Sequence, residues 1–495
     1  MGAAEKLRSA EPEPKLEIRT DSAESRYRAE RIGHWNEIAG TYSHSGLCRG
    51  YYHRRLTEVY QFLVPPNQRI LEIGCGQGDL IAQLQPAHGV GVDFASEMLQ
   101  RGRSRHPNLH FIEADAHSLR LDANFDVIIL SDVLNDMWDV QQVFEEVARI
   151  AQPHTRIILN FYSRLWQWPL ALAQRLGLAI PKLGQNWLTT EDVTNLLRLS
   201  GLEVVRAWPE FLCPLPMPWI GRFANRVMAK LWPFRLADLC NFVIARPQPR
   251  ATALAEARSV SVIVPARNEA GNIEQIFQRV PDLGLETELV FVEGHSRDDT
   301  YDSIARAIAA HPERPSQLIR QSGEGKGDAV REGFARAHGD ILIILDADLS
   351  VPPEDLRRFY TALITGQGDF INGVRLVYPM EKQAMRFLNL LGNKFFSWAF
   401  SFLLGQPVKD SLCGTKALWR SSYDQIAANR AYFGEFDPFG DFDLLFGAAK
   451  LNQKIVDLPI RYRERQYGAT NIHRWKHGWL LLRMVGFAAG RIKFK

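Results

Sequence analysis

Two α/β domains in tandem are predicted by three observations. A strand, turn, helix alternation starts at Arg69 and again at Ser259, the pattern of doubly wound parallel sheets. Between the two series, residues 247–258 (PQPRATALAEAR) are dominated by Pro, Ala, Gln and charge, which reads as a linker. At 495 residues the chain also exceeds one ordinary domain. The expected organisation is therefore a disordered tail over 1–27, a first domain over 28–246, a linker over 247–258 and a second domain over 259–495.

In chain order, the first 27 residues are rich in Glu, Pro, Lys and Arg and poor in apolar residues, hence the tail. Helical patterning fills residues 28–63 and stops at Pro65-Pro66. The strands of the first series are RILEIGCG, GVGVDF, LHFIEADA, FDVIILSD and RIILNF. Those of the second are SVSVIVPA, ELVFVEG, QLIRQ, DILIILDAD and DFINGVR. A net charge of +3 on a chain of this size implies no nucleic-acid partner. Five scattered cysteines without a C-x-x-C pair suit a reduced, cytoplasmic protein. No apolar run reaches the roughly 18 residues of a membrane span.

In the first domain a buried strand runs into Leu71-Glu72-Ile73-Gly74-Cys75-Gly76-Gln77-Gly78 and then a helix. Glycines there let the backbone approach a ligand at a helix N-terminus. Asp93 ends the next strand, roughly 20 residues on, where an acid can take both hydroxyls of a ribose. Asp115 ends the third strand, placed to meet an adenine edge.

LEIGCGQGDL, GVDFASEML, EADA and FDVIILSDVL, in that order and spacing, resemble the class I S-adenosylmethionine-dependent methyltransferases, with a Rossmann-like sheet. The resemblance implies that Glu72 and Gly74 flank the methionine end and that Gly76 and Gly78 shape the turn. It likewise puts Asp93 on the ribose and Asp115 on the adenine. An NAD-type dehydrogenase is the competing reading of the glycine turn alone. The methyl acceptor does not follow, although the lack of an Asn-Pro-Pro-aromatic motif speaks against DNA bases. Tyr42, His44, Tyr51, Tyr52 and His53 precede the sheet where a lid is often built; either histidine could serve as a general base. Trp166, Trp168, Trp187 and Trp208 read as packing residues, with an acceptor pocket the alternative.

The second domain is organised around residues 341–350, ILIILDADLS. Its apolar run reads as a buried strand ending in Asp346-Ala347-Asp348. Alternation along an extended chain would put both carboxylates on one side, able to hold Mg²⁺ or Mn²⁺ together with a nucleotide diphosphate. Other strand ends offer Glu269, Glu293, Ser296 and Asp298. Lys326 stands between glycines where it could reach a phosphate, and Arg375, Asp410, Gly414 and Asp443 follow.

As an ordered set these pieces resemble family 2 glycosyltransferases of the GT-A fold, most closely the synthases that load sugars onto polyprenyl phosphates. What that implies is inverting transfer of a sugar from a UDP- or GDP-linked donor to a polyprenyl phosphate or a sugar. Asp346 and Asp348 match the metal and diphosphate motif. Glu269, Glu293 and Asp298 fall on the nucleoside side, Lys326 and Arg375 face the phosphates, and Asp443 sits near the acceptor as base or orienter. Arg267, His295, Ser350 and Asn471 depart from the family pattern, which leaves base and acceptor open. A nucleotidyltransferase would want an early basic, glycine-rich loop, and PARNEAGN is acidic.

Residues 385–404 and 473–495 mix aromatic and basic side chains, which suits peripheral contact with the inner face of a membrane; helices packed on the sheet are the alternative. The expectation is thus a bifunctional enzyme, with S-adenosylmethionine and Mg²⁺ or Mn²⁺ as cofactors. Against it stands a single active glycosyltransferase joined to a non-catalytic, S-adenosylmethionine-binding or scaffolding domain.

Overall fold

The computed structural model describes residues 23–40, 47–176, 183–217, 219–249, 257–375, 387–432, 441–462 and 474–495. Tyr42, His44 and Asn471 lie outside them.

The first sheet has seven strands: β1 (Arg69–Ile73), β2 (His88–Asp93), β3 (His110–Glu113), β4 (Val127–Ser131), β5 (Arg156–Tyr162), β6 (Leu202–Glu210) and β7 (Cys240–Pro247). Their order is β3-β2-β1-β4-β5-β7-β6, with β1 to β5 parallel and β7 antiparallel to both its neighbours. The order reverses between β1 and β4, so the crevice beyond their carboxyl ends is where a ligand is expected. β1, β4 and β5 are nearly continuous buried aliphatic runs, as strands covered on both faces must be. One covering helix, Val140–Ile150, starts at an Asp139 cap that accepts from Gln142 N at 3.0 Å. It buries Val140, Val143, Phe144, Val147 and Ile150, the spacing of one helical face.

The second sheet contains β8 (Val260–Ala266), β9 (Thr287–Glu293), β10 (Ser316–Arg320), β11 (Ile341–Ile344), β12 (Phe370–Val374), β13 (Lys416–Trp419) and β14 (Ile455–Pro459). The order is β10-β9-β8-β11-β13-β12-β14, parallel except for β13. Its reversal point falls between β8 and β11.

Boundaries differ from the sequence reading in two places. Helix Ala23–Ile38 begins inside the expected tail, because Tyr27 and Arg28 find partners on the first domain. β7 runs through Pro247, the first residue of the expected linker, which pairs with Leu202.

The two domains meet through buried charge. Asp369 accepts from Arg156 Nη2 at 2.7 Å and Arg246 Nη1 at 2.9 Å, while Glu203 pairs with Lys454 and Arg246. Asn452 Nδ2 donates to Leu63 O at 2.9 Å, and Arg206 Nη2 donates to Asn452 Oδ1 at 2.7 Å.

Helices Phe387–Leu404 and Arg474–Ala488 pack on each other and on the second sheet, burying Phe396, Phe400, Leu404, Leu481 and Met484. Their outer faces leave Trp398 and Trp479 about two-thirds exposed, at 68% and 67%. Among the described residues, no helix is long and apolar enough to cross a membrane.

Candidate active sites

The glycine turn after β1 is fastened to β2. Gly74 N and Cys75 N both donate to Val92 O, and Gly76 N donates to Asp93 Oδ2 at 2.8 Å. Asp93 Oδ1 accepts from Ala95 N at 2.9 Å, so this carboxylate holds the turn and the start of the next helix together. Burial raises its pKa, partly offset by those backbone donors. All three glycines have positive φ, but for different neighbours. A Cβ on Gly74 would lie 2.5 Å from Val133 Cγ2 and one on Gly78 would lie 2.7 Å from the Phe111 ring, whereas one on Gly76 meets nothing within 4 Å. Gly74 and Gly78 are thus packing positions and Gly76 faces open space. Gly74→Ala should therefore cost about 2–4 kcal/mol from strain plus overpacking, read as a lower urea midpoint. Gly76→Ala should cost about 1 kcal/mol and show itself mainly in cosubstrate affinity.

Glu72 is buried and accepts from Ile81 N at 3.2 Å. Burial pushes its pKa up to about 8, helped by Asp79 and Asp93 and opposed by Ile81 N. Asp115 behaves oppositely. Burial would raise its pKa, but His117 through side chain and backbone, and Arg28 at 2.8 Å, outweigh it and hold the carboxyl below its ordinary value. Arg28 belongs to helix Ala23–Ile38, which is also tied down by Tyr27 Oη donating to Met137 O at 3.3 Å and Arg31 donating to Gly184 O.

Glu72, Gly74, Gly76, Asp93 and Asp115 line one cavity of about 1510 Å³. That exceeds the roughly 300–1,000 Å³ of a typical single-ligand pocket, leaving room for a second reactant. His53 and Trp166 also line it. Trp168 points to solvent, Trp187 is half-buried, and Trp208 stacks on Phe242.

Sequence reasoning passed over Asp132, which follows β4 at φ +55° on the cavity wall. Its carboxylate accepts from Tyr52 Oη at 2.9 Å and from Asn160 Nδ2 at 2.5 Å. Burial, with Asp132 beside it, pushes the Tyr52 hydroxyl well above its usual pKa. The available signal was an acid at the carboxyl end of a central parallel strand, in FDVIILSDVL.

In the second domain, Asp346 and Asp348 lie beyond the end of β11, in a turn where Leu349 has φ +54° and donates its N–H to Asp346 O. Strand alternation is therefore not what positions this pair, because the ladder has ended and the turn takes over. Lys326 Nζ lies 2.6 Å from Asp346 Oδ1, and Asp348 Oδ1 accepts from Ser350 N at 3.0 Å. Gly414 backs the same spot: a Cβ there would be 2.2 Å from Asp346 Oδ2 and 2.1 Å from Lys326 Nζ. Three pieces far apart in sequence thus converge at the reversal point of the sheet.

Glu269, Glu293 and Asp298 gather at the adjoining ends of β8 and β9. Glu269 Oε2 accepts from Asn272 Nδ2 at 2.8 Å, Glu293 Oε1 from Ser296 N, and Asp298 Oδ1 from Thr300 N at 3.1 Å. Arg375 is locked in a two-pronged pair with buried Asp410, Nε at 2.7 Å and Nη2 at 2.9 Å. Asp443 accepts from Arg430 Nε at 2.9 Å. Among the described residues no cluster of three or more His, Cys, Asp and Glu could hold a metal.

Comparison with known proteins bears on both halves. Residues 65–198 match the family model "Methyltransferase domain", and residues 261–426 match "Glycosyl transferase family 2". The glycosyltransferase AglJ of Haloferax volcanii is 29% identical over 225 residues, 45% of this chain and 69% of that protein. The dolichol-phosphate mannosyltransferase of Pyrococcus furiosus is 29% identical over 220 residues, 43% of this chain and 59% of that protein. An S-adenosylmethionine-dependent methyltransferase from Mesorhizobium loti superposes with TM-score 0.31 at 19% identity, over 38% of this chain and 96% of its own. Residues 65–198, on the first seven-stranded sheet, thus carry a methyltransferase domain, and residues 261–426, on the second, a family 2 glycosyltransferase domain.

Proposed function

We propose that the chain is a bifunctional enzyme, transferring a methyl group from S-adenosylmethionine in residues 28–246 and a sugar from a nucleotide-diphosphate donor, with inversion, in residues 259–495. The observation that carries it is Lys326 on Asp346 at the carboxyl end of β11, backed by Gly414. An ammonium and a carboxylate pressed against bare backbone form a surface suited to a diphosphate and its counter-ion.

A divalent cation fits this donor set, since hard oxygen ligands from Asp346 and Asp348 leave the remaining positions to the diphosphate. Bound there, Mg²⁺ or Mn²⁺ would supply charge stabilisation to the leaving diphosphate. Lys326 would then be released toward the phosphate oxygens. Glu269, Glu293 and Asp298 hold the β8 and β9 loops as the floor of the nucleoside subsite. Arg375 acts through Asp410, stiffening the loop that carries Gly414. Asp443 would orient the acceptor, or accept its proton if the acceptor is a hydroxyl; a phosphate acceptor is already anionic and needs no base. The name of the Pyrococcus furiosus relative makes a polyprenyl phosphate the first acceptor to try.

In the methyltransferase half, Asp93 would hold the ribose, Asp115 the adenine, and Glu72 would face the methionine end. Methyl transfer needs only a nucleophile held in line with the sulfonium, and the remaining volume of the cavity accommodates it. Asp132 is the acid placed to take the acceptor's proton. Because Glu72 sits at about 8, it is largely uncharged at pH 7 without ligand. A ligand ammonium beside it favours the ionised form, so its pKa falls on binding. S-Adenosylhomocysteine should therefore release close to one proton at pH 7, seen as a binding enthalpy that depends on the buffer, and Glu72→Gln should remove the dependence.

A non-catalytic methyltransferase-like domain is the second reading, favoured by Arg28 occupying Asp115. Calorimetry separates the two readings. UDP and GDP are titrated with and without Mn²⁺, and S-adenosylhomocysteine separately. Metal-dependent binding of one nucleotide, unaffected by S-adenosylhomocysteine, is expected. Failure of both nucleotides would remove the sugar-transfer proposal, and failure of S-adenosylhomocysteine would leave a glycosyltransferase with a scaffold.

A further inference from the structure

Most of the large apolar side chains exposed among the described residues do not lie on the two helices whose sequence suits a bilayer surface. They fall in two segments of the methyltransferase domain, 164–176 and 215–236. Trp168, Trp219 and Trp232 are 80%, 87% and 78% exposed, and Ile220, Phe223 and Leu236 stand open beside them in the sequence. Arg164, Arg175, Arg222, Arg226 and Arg235 are exposed in the same segments, which contain no Asp or Glu. Burying such side chains in the protein's own core would have been the favourable outcome for an isolated domain in water. Large aromatics interleaved with exposed arginines, in segments that carry no acid of their own, instead match the two components of an anionic bilayer surface, acyl boundary and headgroup charge.

We propose that these two segments dock the methyltransferase domain on an anionic phospholipid surface, and that its methyl acceptor is an amphiphile presented from that surface. The acceptor class rests on the methyl-transfer reading above; the docking does not.

Two connections support the assignment. The apolar patch runs into the cavity: Pro169 and Leu215 are exposed on it and also line the cavity wall, next to Trp166 and Leu170. An acceptor with an apolar tail can therefore leave the tail outside while its reactive group reaches Asp132 and Tyr52. The C-terminal residues also join the first domain to the helices whose outer face carries Trp398. Lys493 Nζ lies 4.5 Å from the Phe402 ring, Phe402 stacks on Trp398, and Arg55 Nη2 of the first domain donates to Lys495 O at 3.0 Å. Both domains thus present exposed aromatic side chains, and a lipid-linked product of one site could reach the other by lateral diffusion.

The test is co-sedimentation of the full-length protein with vesicles of phosphatidylcholine alone and of phosphatidylcholine mixed with phosphatidylglycerol. Binding to the anionic vesicles is expected, and Arg222→Glu with Arg235→Glu should weaken it by about tenfold or more. Trp168→Ser with Trp219→Ser should do the same. Trp219→Ser alone guards against misfolding, because its ring is almost wholly in solvent. Calorimetric binding of S-adenosylhomocysteine should be unchanged in every variant. Three results would overturn the proposal: no binding to anionic vesicles, binding lost only in Trp398→Ser with Trp479→Ser, or a wild-type dimer that the patch variants dissociate and that ignores vesicles. Loss of S-adenosylhomocysteine binding in the wild type would instead count against methyl transfer and leave the docking intact.

Discussion

Asp346→Ala should lower the rate of sugar transfer by about 10³-fold or more and leave methyl transfer within about twofold. The side chain holds Lys326 at 2.6 Å, and on the proposed function it would also hold the cation that neutralises the departing diphosphate. Alanine removes both the contact with Lys326 and the proposed cation ligand. Asp346→Asn separates the effects: the size and one hydrogen bond survive, the charge does not, and the rate should fall nearly as far. Nucleotide titration should lose its metal dependence in both variants. The methyltransferase cavity is built from a different sheet, so S-adenosylhomocysteine affinity should be unchanged. If Asp346→Ala silenced both transfers, a shared site would replace the two-site reading.

Legibility of the fold in the sequence followed the physics of each strand. β1, β4, β8 and β11 are buried on both faces and read as plain aliphatic runs. β6 and β13 do not. β6 carries Glu203 and Arg206, whose partners Lys454 and Asn452 belong to the other domain, so its polarity makes sense only after the domains meet. β13 opens with Lys416, a fully buried lysine whose ammonium is satisfied by Cys413 O. No periodicity announces a lysine in a core strand. The same division holds in the sites. Asp93 ends β2 and Asp346 lies just beyond β11, each inside a short motif that can be read along the chain. Arg28 on Asp115, Tyr52 on Asp132 and Gly414 behind Asp346 are contacts between segments far apart in the chain, and local pattern carries no trace of them.

Asp369→Ala should destabilise the chain by about 3–5 kcal/mol, the largest stability loss expected of any single change discussed. Asp369 is buried just ahead of β12 and accepts three donors: Arg156 Nη2 at 2.7 Å, Arg246 Nη1 at 2.9 Å and Lys454 N at 2.7 Å. Two of these come from strands of the other sheet. Arg246 would keep Glu203 at 2.7 Å, but Arg156 would retain only carbonyl partners, Asn452 O at 2.9 Å among them. A buried guanidinium without a counter-charge is what makes breaking such a pair more costly than replacing it whole. Burial by itself would raise the Asp369 pKa, yet Arg156 and Arg246 outweigh it and depress the value below that of an ordinary carboxyl. A depressed folded pKa contributes stability that is present above the unfolded value and lost as pH falls through the folded one. The wild type should therefore lose this contribution only below about pH 4, and Asp369→Ala should lack that part of the acid sensitivity. In urea the variant should either shift its midpoint down or divide into two transitions, one per domain. A midpoint within about 0.5 kcal/mol of wild type would mean that the domains are held by their apolar contacts and that the charged cluster sets only their relative orientation.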